Sequence, residues 1–127
     1  MRSKLPSLLL TSAFAVACLS PASQAQRVSM MPAGKFLQIC SSPHGVPACD
    51  AYLAGMADSF ALIQSVAEKS SGEVKLKPQI CIPKTIATAD MRGSVVSWLK
   101  SHQERLHSQV GESVYEALHT AYPCNGG

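Results

Sequence analysis

The sequence predicts an all-α fold, a small bundle of about four helices stapled by two disulfides. Apolar residues recur every three to four positions through most of the chain after residue 32, which is the spacing of helices that bury one face. Four cysteines follow residue 25, and each lies at the edge of such a helical segment. An even number of cysteines in a domain of about a hundred residues is typical of exported, disulfide-stabilised proteins. These cysteines are Cys40, Cys49, Cys81 and Cys124.

Residues 1–25 have the pattern of a secretory signal peptide. Arg2 and Lys4 form a short basic region, and a mainly apolar stretch follows from residue 5 to residue 19. The small residues of Ser23-Gln24-Ala25 then suit cleavage after Ala25. We therefore predict that residues 26–127 form a single mature helical domain in the periplasm.

Two alternatives to cleavage after Ala25 are weaker. A membrane anchor needs about 20 apolar residues, and Pro21 ends the apolar run before that length. A lipoprotein modified at Cys18 would need a bulky residue at the start of its recognition box, where this chain has Ala15. No later segment is apolar enough to span a bilayer, so no membrane contact is expected after cleavage.

The charge balance of the mature chain argues against a nucleic-acid partner. Removal of Arg2 and Lys4 leaves nine of the eleven basic residues against eight acidic ones, a net charge of +1. Aromatic residues make up only 6% of the full chain, and no basic stripe is present. Nucleic-acid-binding domains normally carry a clustered excess of Lys and Arg.

The first half of the mature chain predicts two helices. A short helix over residues 33–40 follows Pro32 and buries Phe36, Leu37 and Cys40. Turn-forming residues fill positions 41–47. A longer helix is predicted over residues 47–69, and its apolar stripe consists of Cys49, Tyr52, Leu53, Met56, Phe60, Ile63 and Val66.

The second half predicts a polar loop and two more helices. Residues 70–79 are predicted to form a solvated loop in which a short extended piece can occur, and residues 80–83 then re-enter the core without helical structure. A third helix is predicted over residues 88–100, with Thr88 as its N-cap. Its inner face consists of Met91, Val95, Trp98 and Leu99.

The serine and glutamate of Ser101-His102-Gln103-Glu104 fit a capping box, which predicts that a fourth helix begins there and continues to about residue 121. The apolar stripe of this fourth helix consists of Leu106, Val110, Val114, Ala117, Leu118 and Ala121.

The helix order favours one disulfide pairing among the three that four cysteines allow. The third and fourth helices are joined by almost no linker, so they should pack antiparallel. Cys81 precedes the third helix and Cys124 follows the fourth, which brings these two thiols together. Cys40 and Cys49 flank the loop of the first helix pair in the same way. We therefore predict Cys40–Cys49 and Cys81–Cys124.

The sequence offers little for catalysis or metal binding. His102 and His107 are five positions apart and face different sides of a helix, and the cysteines are expected to be oxidised. No serine lies in a nucleophile-elbow motif and no glycine-rich phosphate loop occurs. Asp50 and Asp58 are weak evidence for acid–base chemistry in a chain with eight carboxylates. We expect a binding protein without cofactor or metal, and not an enzyme.

Several short motifs resemble those of the type VI secretion amidase immunity proteins, the Rap/Tai family. They occur in the family's order along nearly the whole mature chain, and together they are specific. One departure is Gln103, where the family usually has proline. The matching segments are the C-x-x-Y-x-x-G-x-x-D pattern from Cys49 to Asp58, Ile80-Cys81-Ile82-Pro83, Trp98-Leu99 with His102 and Glu104, Ala117-Leu118, and Ala121-Tyr122-Pro123-Cys124.

The resemblance implies an all-helical periplasmic protein that binds a peptidoglycan amidase effector and blocks its cleft, often as a homodimer. The matched motifs are mostly core and disulfide positions, so they leave the binding surface open. We assign partner binding to Glu73, Lys75 and Lys77 of the polar segment, which in the alternative interpretation is only a solvated connection. The alternative functions are a small periplasmic stress or chaperone-like protein, and an accessory envelope protein without an effector partner.

Overall fold

A computed structural model describes residues 29–69 and 77–124 of the chain, and within them the all-α prediction is confirmed. Residues 32 and 109 form one isolated β-bridge, and residues 80 and 123 form another. None of the helices in the described ranges is both long and apolar enough to cross a membrane. The four α-helices are α1 (Ala33–Ser41), α2 (Val46–Lys69), α3 (Thr88–Ser101) and α4 (Val110–Ala121), and a 3-10 helix (Gln103–His107) lies between α3 and α4.

A tight turn and the Cys40–Cys49 disulfide join α1 to α2, and the predicted pairing is confirmed. The two Cα atoms of this bridge are 5.1 Å apart. Gly45 is required in the turn, because a Cβ atom there would lie 2.1 Å from the Ile39 carbonyl oxygen. The amide of Cys49 donates to the Gly45 carbonyl, and α2 begins at Val46, one residue before the predicted start.

The core lies where α1 packs against α2, α3 and α4. Tyr52 of α2 packs its ring against Phe36 at 4.9 Å between centroids, and burial raises the pKa of the Tyr52 hydroxyl. The carboxylate of Asp50 accepts a hydrogen bond from Arg92, which ties α2 to α3. The largest fully buried apolar side chains are Phe36, Leu53, Leu99, Leu118, Val95, Val110 and Val114.

The predicted capping box at Ser101 is wrong, and so is the predicted start of the last helix. The Ser101 hydroxyl belongs to the last turn of α3, where it donates to the carbonyls of Ser97 and Trp98. The 3-10 helix follows, and α4 begins only at Val110. The cause is a tertiary pairing, since the Val110 amide donates to the Met31 carbonyl and the Ser108 carbonyl accepts from the Ala33 amide. These backbone groups are therefore not available to continue one helix from residue 101.

Two smaller predictions about the last two helices are also wrong. Thr88 is the first residue of α3 and makes no side-chain capping bond, while Ala87 occupies the N-cap position in extended conformation. Ala121 is exposed at the end of α4, because the chain leaves the bundle there towards Cys124. Leu106 lies on the 3-10 helix, where it packs against the edge of the core. Elsewhere the α4 stripe is buried as predicted at Val110, Val114, Ala117 and Leu118.

Candidate functional site

The structure places only part of the predicted partner-binding loop. Glu73 and Lys75 lie outside the described residues. Lys77 opens an extended segment, residues 77–83, and is exposed. Its neighbours Pro78, Gln79 and Ile80 run alongside α2, with Ile80 only 3% exposed.

The chain end holds this segment in place, and the predicted Cys81–Cys124 disulfide is confirmed. The amide of Cys81 donates to the Tyr122 carbonyl at 2.9 Å, and the amide of Cys124 donates to the Gln79 carbonyl at 3.2 Å. On the other side, the Gln64 side-chain amide of α2 donates to the Cys81 sulfur at 3.2 Å. One disulfide and three hydrogen bonds therefore fix the position of residues 79–81.

The C-terminal half of α2 exposes apolar side chains, so the apolar stripe of α2 is not buried along its whole length. Ile63 is 45% exposed and Val66 is 47% exposed, and Leu62 beside them is 64% exposed. The reason is length, since α2 has 24 residues and spans about 36 Å. The helices that pack against α2 are α1 and α3, and they have only 9 and 14 residues. Only the N-terminal half of α2 buries residues, at Cys49 and Leu53.

Aromatic side chains connect this half of α2 to α4. Phe60 contacts Tyr115 edge to face, with 6.0 Å between ring centroids. Tyr115 in turn lies parallel to the ring of His119, again at 6.0 Å. Tyr115 is 38% exposed, although it lies on a helix whose other face is fully buried.

Together these residues form what we name the α2–α4 surface: Leu62, Ile63, Val66 and Tyr115. A cleft of about 180 Å³ opens beside it. Five of the seven lining residues are apolar or aromatic, and Lys77 is the only charged one among them. The residues that line the cleft are Phe60, Ile63, Lys77, Pro78, Gln79, Ile80 and Tyr115.

An apolar surface of this kind is chemically suited to a protein partner. Contiguous exposed apolar residues rimmed by polar groups mark interaction sites in soluble proteins. Aromatic residues are enriched at protein interfaces, whereas charged residues are depleted at the interface core and the rim is polar. The cleft matches this composition, because Phe60 and Tyr115 line it and Lys77 is the one charged residue among its lining.

The histidines and carboxylates of the described ranges are not assembled into a reactive site. No group of three His, Cys, Asp or Glu side chains there could hold a metal ion. His102 stacks on Trp98 at 4.0 Å, and its Nδ1 lies 2.8 Å from the Trp98 carbonyl oxygen. Asp50 is engaged by Arg92, and Asp58 is exposed on α2. These contacts stabilise the fold. The Ser101 hydroxyl lies 3.3 Å from His102 Nδ1, but it is engaged by the carbonyls of Ser97 and Trp98 at the end of α3.

Sequence reasoning missed Leu62 and Tyr115 as functional candidates. The sequence does contain an indication for Leu62. With Leu62 next to Ile63, the apolar residues of this helix cover a wider arc than is needed to bury one face. For Tyr115 there was no such signal. Its place beside Phe60 depends on how α2 and α4 are each positioned by their packing against α1 and α3, which the helical periodicity of α4 does not specify.

Comparison with protein families gives one match, to the family described as Rap1a immunity proteins, over residues 33–124. This range runs from the start of α1 to the second disulfide and includes all four α-helices. Comparison with curated proteins and with solved structures gives no significant match.

Proposed function

Because the chain belongs to the Rap1a immunity protein family, we propose that it binds and occludes a peptidoglycan amidase effector of a type VI secretion system in the periplasm. The observation that carries this proposal is the α2–α4 surface. Three large apolar side chains of α2 and one aromatic side chain of α4 are exposed together there, beside a cleft. A protein that inhibits by occlusion needs such a surface and no catalytic groups of its own.

Occlusion draws its affinity from a few anchor residues. Interface hot spots are typically well-packed aromatic and large apolar groups surrounded by a polar rim. Ile63 and Tyr115 are the anchors in this proposal, and Lys77 supplies the adjacent charge. The wall of the cleft is fixed by the Cys81–Cys124 disulfide, so less conformational entropy is lost when the partner binds.

The polar segment is proposed to contribute at the rim. Replacing Glu73, Lys75 and Lys77 together by alanine should weaken binding of the cognate amidase roughly tenfold, because rim charges mainly affect association. Unfolding by urea should change by no more than about 0.5 kcal/mol, as for most surface substitutions. Isothermal titration calorimetry against each peptidoglycan amidase encoded in the same genome measures the affinity.

A matched control exists for this variant. Lys84, Lys100 and Glu104 have the same net charge as the tested set and are exposed away from the cleft. Their triple alanine variant should bind like the wild type. If the two triple variants bind the amidase with equal affinity, the polar segment does not contribute, and the interface lies on the helix faces alone. No binding of the wild type to any amidase encoded in the same genome would discard the immunity function.

The periplasmic location has its own test. The mature protein should begin at Gln26, because residues 1–25 have the basic, apolar and small-residue regions of a signal peptide. Intact-mass spectrometry of the exported protein should give the mass of residues 26–127 with two disulfides. A mass that includes residues 1–25, or lipid on Cys18, would contradict this prediction.

The proposal includes the homodimer that the family resemblance implies. Such a dimer has to leave the α2–α4 surface accessible to the effector, or the effector has to displace one subunit. Light scattering of the free protein and of the complex distinguishes these two arrangements by their stoichiometry.

A further inference from the structure

The two disulfides differ sharply in their access to solvent. Cys40 is 5% exposed and Cys49 is 0% exposed, so the first bridge is enclosed by the core. Cys81 and Cys124 are both partly exposed. Thiol–disulfide exchange requires that a thiolate reach a sulfur atom along the disulfide axis, so access governs its rate.

The two disulfides also hold different parts of the molecule. The Cys40–Cys49 bridge links α1 to α2 within the core cluster. The Cys81–Cys124 bridge links the segment 77–83 to the end of the chain. Residues 77–80 of that segment form one wall of the cleft. The two backbone hydrogen bonds beside the disulfide also join this segment to the end of the chain.

We propose that the Cys81–Cys124 disulfide is a thiol-sensitive latch that holds the cleft of the α2–α4 surface in its binding shape. The reductant is a dithiol. Its thiolate attacks the Cys124 sulfur, the Cys81–Cys124 bond breaks, and Cys81 leaves as a thiolate. The second thiol of the reductant then displaces Cys124 from the mixed disulfide. The dithiol becomes a disulfide, and its two protons balance the two cysteine thiols formed.

Gln64 favours this direction of attack. Its side-chain N–H group already donates to the Cys81 sulfur in the oxidised protein. A hydrogen bond to a charged acceptor is stronger than one to a neutral acceptor, so Gln64 stabilises Cys81 as the leaving thiolate. No corresponding donor to the Cys40 or Cys49 sulfur is found among the described residues.

Reduction of the latch loosens the cleft wall without dismantling the bundle, because the wall is then held only by its hydrogen bonds and by the buried Ile80. The enclosed Cys40–Cys49 bridge and the packing of α1 against α3 and α4 remain. The consequence for partner binding rests on the proposed function. The order in which the two disulfides are reduced does not depend on the proposed function, because it is a property of this chain alone.

The first experiment uses the mature protein and dithiothreitol as the dithiol. Free thiols are trapped with N-ethylmaleimide at intervals, and the labelled cysteines are identified by peptide mass spectrometry. We expect Cys81 and Cys124 to be labelled roughly tenfold faster than Cys40 and Cys49, with far-UV circular dichroism retained. Equal rates, or earlier labelling of Cys40 and Cys49, would overturn the latch.

The role of Gln64 is tested by Gln64→Leu, with Gln38→Leu on exposed α1 surface as the matched control. Gln64→Leu should slow labelling of Cys81 roughly threefold, since the leaving thiolate loses its hydrogen-bond donor. The control should leave the rate unchanged. Unchanged or faster labelling in Gln64→Leu would show that Gln64 does not assist the reduction.

The functional arm compares two forms of the same protein against the cognate amidase. One form is fully oxidised, and the other has Cys81 and Cys124 reduced, alkylated and freed of reductant. Binding should fall at least roughly tenfold in the alkylated form, the loss expected when a hot-spot pocket is opened. Equal binding of both forms would overturn the latch, whereas failure of the oxidised form to bind would overturn the proposed function instead.

Discussion

Replacing Ile63 with aspartate and Tyr115 with alanine should weaken amidase binding roughly a hundredfold or more, which corresponds to a loss of about 3 kcal/mol of binding free energy or above. Both side chains line the cleft and are among the exposed large apolar groups. The aspartate would place a charge where a partner must exclude water. The alanine would remove the aromatic ring that Phe60 supports from below.

The double variant should remain folded, because both replaced residues are partly exposed. Ile63 is 45% exposed and Tyr115 is 38% exposed, so little core packing is lost. Met30→Asp is the control for an added charge, since Met30 is 81% exposed and lies outside the cleft. Affinity is measured by calorimetry, and the fold by circular dichroism. Wild-type affinity in the double variant would place the effector interface on another face of the bundle.

Removing the second disulfide, with Cys81→Ala and Cys124→Ala, should lower the free energy of unfolding by about 4 kcal/mol. The bridge closes a loop with a sequence separation of 43, so its removal returns considerable conformational freedom to the unfolded chain. A domain of this size has a total stability on the order of 5–15 kcal/mol. The variant should therefore stay folded at 25 °C but unfold at much lower urea concentration.

The first disulfide provides the comparison for this measurement. It has a sequence separation of only 9, and the same loop argument gives it about 3 kcal/mol. Cys40→Ala and Cys49→Ala also leave a small cavity in the core, so the total effect of this pair exceeds its loop term. Urea denaturation at equal protein concentration measures both variants. A loss below about 1 kcal/mol for the Cys81 and Cys124 pair would contradict the loop argument.

Local sequence patterns were sufficient for the helices and the disulfides. Helical periodicity identified α1, α2 and α3 to within one or two residues, because a buried stripe repeats with the helix itself. The short linkers then placed the ends of neighbouring helices together, and both predicted bridges are present. Export and the mature N-terminus stay predictions, since residues 1–28 lie outside the described ranges.

Features that depend on distant partners could not be predicted in this way. The start of α4 moved from residue 101 to Val110 because the backbone at 108–110 pairs with residues 31–33 at the other end of the domain. The apolar stripe of α2 has the same spacing at Leu53 as at Ile63. Yet Leu53 is buried and Ile63 is half exposed, since the shorter neighbouring helices cover only one half of α2.

The candidate site also combines features that the sequence predicts with features that only the packing of the helices decides. Apolar periodicity and cysteine spacing predicted a helical protein with two disulfides, because those properties belong to single residues and their neighbours along the chain. Residues 80–83 were expected to re-enter the core after the polar loop, and of these Ile80 is buried and Ile82 packs against the core, whereas Pro83 is exposed. The α2–α4 surface and the cleft beside it, however, bring together α2, the segment 77–80 and Tyr115 of α4. Which apolar side chains stay exposed is decided by how the helices pack against one another. The periodicity of a sequence specifies the apolar face of a helix, but it does not specify which element, if any, buries that face.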